Sequence, residues 1–329
     1  MKDAVDKGTH QEMDQPPPEG ISERLSLLSS LLSANIPARR IDGNLLVATW
    51  NLRAFGDLTD KWEAGEDDSP KRDLGSIVAI AEILSRFDVI AVQEIRGNLK
   101  ALRHTLKALG PDWGFILTDT NAGAVGNDER MAFLFDTRRV KPSGLAGELV
   151  VPPEWRDTIG VSLAAGQFAR TPYAVSFASG GETFVLVTLH VLYGDTPADR
   201  TGELEAIALW MAGWAKREEE WGHNLIVLGD FNIDRKGDPN YEAFTSTGLT
   251  PPPELEGLAR TIFDDDGDNF YDQVAWFTKG KGSPLLSLAY SGQGGSFDFV
   301  PALKEDLDLT ALSWKISDHF PLWVEFLTG

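Results

Sequence analysis

Cysteine is absent from all 329 residues. With it go disulfides, thiolate metal sites and thiol nucleophiles. The absence suits a reducing, cytoplasmic location, which is the expected one. Positive charge is scarce as well: 30 Lys and Arg stand against 50 Asp and Glu, a formal charge of -20. That excess of acid disfavours an electrostatic grip on a long polyanion or an anionic membrane. It leaves open a chemistry that recruits divalent cations to one spot. No apolar run approaches the roughly 18 residues of a membrane span. Residues 1–20 are polar and proline-rich (Pro16, Pro17, Pro18) and lack the apolar stretch of an export signal. They are expected to form a disordered tail. No internal repeat of fixed period is visible.

What is present is material for a large core, with 42% hydrophobic residues and 10 Trp. Ile21, Leu25, Leu28 and Leu32 recur at helical spacing behind Ser22, so residues 21–40 read as an amphipathic helical extension docked on the main body. Residues 41–329 read as one domain in which strands and helices alternate. Strands are expected at Leu45 to Trp50, Val89 to Val92, Met131 to Phe135, Tyr173 to Phe177, Phe184 to Leu189 and Leu225 to Leu228. Further strands are expected near 273–278, 284–290 and 321–326. Helical stripes run through Leu74, Ile77, Val78, Ala81 and Leu84, across 98–109, and through Leu204, Ile207, Ala208, Met211 and Trp214. The pattern predicts an α/β fold of two packed sheets flanked by helices.

Polar residues gather where these strands are expected to stop. The first strand ends Thr49-Trp50-Asn51-Leu52-Arg53, and the second ends Val92-Gln93-Glu94-Ile95-Arg96. Glu129-Arg130 opens a strand, and Thr188-Leu189-His190 closes another. Gly229-Asp230-Phe231-Asn232 follows four aliphatics, Tyr271-Asp272 comes next, and Ser317-Asp318-His319-Phe320-Pro321 opens the last strand. Taken singly, Asn51 is a turn former, Glu94 a helix N-terminal acid, and either histidine a hydrogen-bonded structural residue. As a set they point to a site. Hard cations such as Mg²⁺ take oxygen ligands, which Glu94, Asn51 and Asp318 could supply. A carboxylate beside His190 or His319 would hold its tautomer and stabilise the imidazolium. Two acidic clusters carry no such implication. Asp264-Asp265-Asp266-Gly267-Asp268-Asn269 has Ala275 where a calcium loop needs its closing glutamate, and Glu218-Glu219-Glu220 reads as a solvated charge run.

These motifs, across residues 44–327, resemble the endonuclease/exonuclease/phosphatase superfamily and its deoxyribonuclease I branch. Thr49-Trp50-Asn51-Leu52-Arg53-Ala54-Phe55-Gly56 resembles the opening strand motif, and Gln93-Glu94-Ile95-Arg96 the one carrying a metal-binding glutamate. Glu129 to Phe135 is similar to the segment whose glutamate pairs with the first histidine, here His190, and Asp272 would partner His319. Phe168-Ala169-Arg170-Thr171-Pro172 resembles the segment presenting a phosphate-contacting arginine. The resemblance implies a four-layer α/β sandwich and metal-dependent hydrolysis of DNA, RNA or another phosphoester. It implies Mg²⁺, or else Mn²⁺ or Ca²⁺, on Asn51, Glu94 and Asp318. It assigns chemistry to Glu129, His190, Asp230, Asn232, Asp272 and His319, and substrate contact to Arg53, Arg96, Arg170 and Tyr271. A monomer without a protein partner is expected. Asn127 departs from the branch, which places a groove-stacking tyrosine two residues before the glutamate.

Overall fold

The computed structural model describes residues 13, 15–119, 128–153, 167–217, 224–264, 267, 269–278 and 284–328. Most of the expected tail, Asn127, the Glu218 to Glu220 run, and Asp265, Asp266 and Asp268 lie outside the described residues. In chain order the strands are β1 (Leu45–Phe55), β2 (Val89–Ile95), β3 (Trp113–Leu117), β4 (Arg130–Asp136), β5 (Lys141–Glu148) and β6 (Tyr173–Ser179). There follow β7 (Glu182–His190), β8 (Leu225–Ile233), β9 (Leu249–Thr250), β10 (Phe270–Phe277), β11 (Ala289–Ser296) and β12 (Leu322–Leu327). The helices are α1 (Glu19–Asn35), α2 (Leu74–Leu84), α3 (Lys100–Leu109), α4 (Ala198–Ala215) and α5 (Pro239–Thr245), with α6 (Val300–Leu303) and α7 (Leu309–Lys315) near the end. None of the described helices is long and apolar enough to cross a membrane.

Side-chain alternation explains the layering. Along β1, Leu45 and Val47 enter one buried cluster, while Leu46, Ala48 and Trp50 enter another. A strand sends successive side chains to opposite faces, so β1 is covered on both. The Leu45 and Val47 face meets Leu186, Ile226 and Leu228 of the second sheet. The Trp50 face meets α1 and α2 through Leu28, Leu32, Ile77 and Ile80. Val185, Val187 and Val227 turn the other way, toward Leu204, Ile207 and Met211 of α4. The result is a helix, sheet, sheet, helix sandwich of two mixed six-stranded sheets, as the sequence predicts.

The two sheets share one plan, with orders β11-β12-β1-β2-β4-β3 and β5-β6-β7-β8-β10-β9. Each has a central parallel pair, β1 with β2 and β7 with β8, joined through a helix. Parallel neighbours need such a crossover, and α2 and α4 provide it. The repeat is one of topology, which explains why no sequence period betrays it.

Some elements differ from expectation. The strand expected near 284–290 begins only at Ala289, because the Ser287 and Leu288 N–H groups donate to Asn224 Oδ1, 2.8 and 2.9 Å away, and not to a ladder. β5 leaves no strand pattern in the sequence because Pro142, Gly144 and Gly147 are poor strand formers, and at an edge a strand tolerates them. β3 and the short helices α5 and α7 likewise carry too few periodic residues to stand out in the sequence.

Gly229 is where the sheet closes on itself most tightly. Its φ is +145°, and a Cβ there would lie 2.1 Å from the Leu189 carbonyl oxygen of β7. Replacing Gly229 by Ala is therefore expected to cost about 2–4 kcal/mol. An unchanged denaturant midpoint in that variant would show that β7 and β8 tolerate separation.

Candidate active site

His190 closes β7, Glu94 stands one residue from the end of β2, Glu129 immediately precedes β4, and Asp318 and His319 lie on the approach to β12, all near strand ends as expected. Asn51, Asp230, Asn232 and Asp272 instead lie inside strands that deform around them. Pairing of β1 with β2 slips between Asn51 and Phe55, that of β2 with β4 between Val92 and Ile95, and that of β10 with β8 between Phe270 and Asp272. An extra residue in one strand bends it and re-aims its side chains. Of six non-glycine residues with positive φ among those described, Arg53 (29°), Ala54 (48°), Glu94 (61°) and Asn232 (51°) lie here. Each such conformation costs roughly 1–3 kcal/mol unless the surroundings hold it.

The surroundings do hold it. Arg72 is buried just before α2 and donates to five backbone carbonyls: Leu52, Arg53, Ala54, Lys315 and Ile316, at 2.9–3.2 Å. Burial pulls its guanidinium pKa down to about 10, so it stays charged at neutral pH. Arg200 of α4 likewise donates to the carbonyls of Asn232 and Tyr193, both at 2.7 Å. Glu203, one turn along, accepts from the N–H groups of Ala169 (2.5 Å) and Leu192 (2.9 Å), tying down the chain beside Arg170 and His190.

Within this frame the ionisable groups form one web. Glu129 lies 3.1 Å from His190 Nδ1, 2.5 Å from Arg170 Nε and 3.3 Å from Arg96 Nη2. Asp272 Oδ2 lies 2.6 Å from His319 Nδ1. Between the two histidines sits Asp230, with Oδ2 3.6 Å from His190 Nε2, 3.9 Å from His319 Nε2 and 3.0 Å from Asn51 Nδ2. Asn51 Nδ2 also donates to Glu94 Oε1 at 3.1 Å, and Glu94 Oε2 accepts from the Ala54 N–H at 2.7 Å. Asp318 pairs with Arg53 at 3.1 Å. Asn232 donates to the Val191 carbonyl at 2.7 Å. Every candidate residue lines one cavity of about 530 Å³, except Asp272, which is fully buried and reaches it through His319.

The model of the Endonuclease/Exonuclease/phosphatase family matches residues 48–319. The chain belongs to that family. It is accordingly a phosphoester hydrolase. The chain is 29% identical over 320 residues to a deoxyribonuclease from Thioalkalivibrio sp. (strain K90mix), covering 92% of this chain and 76% of that protein. It is 25% identical over 295 residues to deoxyribonuclease-1 from Canis lupus familiaris, covering 85% and 90%. The fold also matches a mannosyl-6-phosphatase from Bacteroides thetaiotaomicron, with a TM-score of 0.55, 19% identity and coverage of 86% and 99%.

The structure adds residues with no motif in the sequence: Arg72, Arg200 and Glu203 behind the cavity, and Tyr193, Phe263 and Trp314 in its lining. Glu203 had a signal, since it falls on the buried stripe of α4 with Leu204 and Ile207. Arg72 had none, because its partners are carbonyls from two distant segments. Glu94, Glu129 and His190 bring ligand atoms within 4.8 Å of one another. Glu129 is already engaged by two guanidiniums and an imidazole. Glu94 faces neutral N–H donors, with Arg96 no nearer than 3.8 Å. Glu94 Oε1 and Asp230 Oδ2 both accept from Asn51 Nδ2, and these carboxylate oxygens suit a hard divalent cation. Asn51, whose Oδ1 accepts from the Arg53 N–H at 3.0 Å, would add an oxygen by turning its amide over.

Burial would raise Glu129, but His190, Arg170 and Arg96 outweigh it and hold its carboxyl at about 2. Asp230 is lowered too, with the histidines and amide donors overcoming its burial. Burial disfavours a charged His319, yet Asp272, Asp230 and Asp318 push its pKa up to about 10. Burial raises the partner, Asp272. The proton of the pair rests on His319, because Asp230 also favours the cation. Heteronuclear NMR of the metal-free protein should thus show His319 protonated well above the ordinary 6.5. In Asp272→Asn the value should fall toward that figure, and a wild-type ring titrating near 6.5 would refute the pairing.

Proposed function

We propose that the protein is a divalent-metal-dependent phosphodiesterase that cleaves nucleic acid by attack of water on phosphorus. One observation carries the reading: two histidines, each braced by its own buried carboxylate, face one shared carboxylate, Asp230, across one cavity. Its relatives named as deoxyribonucleases support the choice of nucleic acid.

In this reading Asp230, ionised and without a guanidinium partner among its described contacts, orients the water and accepts its proton as the new P–O bond forms. His319, held as imidazolium, gives a proton to the departing oxygen or stabilises the charged phosphoryl group. His190, braced by Glu129, takes the complementary role. Arg170 keeps Nη1 buried without a hydrogen-bond partner, a donor suited to a phosphoryl oxygen. Arg53, Arg96 and Tyr271 line the same cavity for contacts along the substrate, and Asn232 offers its remaining amide hydrogen. Glu94 and Asn51 are the residues that would hold Mg²⁺, which supplies Lewis-acid neutralisation of phosphoryl charge when bound. Asp318 is committed to Arg53 and in this reading positions that guanidinium.

Cleavage of plasmid and oligonucleotide DNA should depend on Mg²⁺. His319→Ala should lower kcat by about 10²–10⁴-fold at unchanged melting temperature. Equal activity in purified Glu94→Ala would expose a contaminant and defeat the assignment. Phosphate release from small phosphomonoesters, without DNA cleavage, would transfer the site to a small-phosphoester substrate. Metal binding without turnover of either substrate class would leave a binding module.

A further inference from the structure

We infer that the rim of the cavity is a stacking platform for unpaired nucleobases, so that the favoured substrate is single-stranded nucleic acid; this rests on the phosphodiesterase reading above. Among the described residues, four aromatic side chains are strongly exposed: Phe115, Tyr193, Phe263 and Trp314. Three of them line this one cavity, at 58%, 51% and 46% exposure for Tyr193, Phe263 and Trp314. Apolar rings left in water beside a reaction site mark a surface built for an apolar ligand. They come from separate parts of the chain: the segment after β7, the turn before β10, and α7. One amphipathic element exposing a stripe by accident cannot account for that.

Two of the rings are backed by cations. The Arg53 guanidinium lies 4.1 Å from the centre of Trp314, and that of Arg200 lies 4.3 Å from Tyr193. A ring held from one side keeps its orientation and offers the rest of its surface. Arg53 also lines the cavity, so Trp314 sits against a guanidinium placed to meet the substrate backbone.

Charge argues against a duplex as the main ligand. The cavity arginines Arg53, Arg96 and Arg170 each lie within 4 Å of a site carboxylate, in a chain of net charge -20. Duplex binding draws on many unpaired cations along the backbone. Single strands also use backbone cations, though with a weaker salt dependence per phosphate, and stacking of a base on an aromatic ring adds about 1–3 kcal/mol that no cation has to supply.

The test compares kcat/KM on a single-stranded oligonucleotide, its duplex, and a strand of equal length carrying abasic tetrahydrofuran units around one phosphodiester. The wild-type protein should prefer the base-containing single strand over the abasic one by roughly 5–150-fold, the ratio equivalent to one stacked base. Trp314→Ala and Phe263→Ala, checked for unchanged melting temperature, should each shrink that ratio mainly through KM, and Trp314→Phe should restore most of it. Metal-dependent cleavage with equal rates on abasic and base-containing strands, a preference for duplex, or a ratio that survives both alanine variants would overturn the platform while leaving the phosphodiesterase standing. If no nucleic acid is cleaved at all, both readings fall.

Discussion

A buried carboxylate, Asp230, is the charge around which this structure is arranged. Taking such a group out of water costs several kcal/mol unless opposite charge and hydrogen bonds surround it. Here they do, and they come from both sheets: His190 from β7 beside it, Asn51 from β1 and His319 from the approach to β12. The compensation that keeps Asp230 ionised is thus the same set of contacts that joins the two sheets at this end of the sandwich. Just beneath, Gln93 Nε2 reaches Thr188 Oγ1 at 2.9 Å, so a hydrogen-bonded layer separates the ionic web from the apolar core.

The histidines are braced reciprocally. Glu129, at the start of β4 in the first sheet, supports His190 of the second. Asp272, from β10 of the second sheet, supports His319 on the first. Because β4 and β10 hold equivalent places in the two sheet orders, the repeated topology itself delivers one carboxylate to each side. Sliding one sheet over the other would break both pairs together. This gives a physical reason for the close packing of Phe133, Phe177, Ile226 and Leu228 between them.

Strain in the site strands is carried by side chains that do not themselves line the cavity. Arg72 holds both the strained turn after Asn51 and the segment leading to Ser317, whose hydroxyl donates to the Asn51 carbonyl at 2.6 Å. Arg200 does the same for Asn232. A guanidinium suits this work because its fork of donors can satisfy several carbonyls at once, where a lysine offers one compact head. Carbonyls bent away from the sheet ladders would otherwise lie buried without partners.

The amino-acid sequence by itself determined the elements and the chemistry on offer. Period-2 runs such as Leu45 to Trp50 and helical stripes such as Leu204 to Trp214 name the strands and helices, because burial on defined faces leaves a periodic trace. The motifs around Asn51, Glu94, Asp230 and His319 name the reactive groups, because a buried strand has no packing use for them. Only the tertiary structure decided that Asn51, Asp230 and Asn232 ride inside strands beside slips in pairing, since a slipped register depends on the neighbouring strand. Only it brought Arg72 under the site and Trp314, Phe263 and Tyr193 around it. Their partners lie far off in the chain, and a contact between distant segments leaves no local pattern to read.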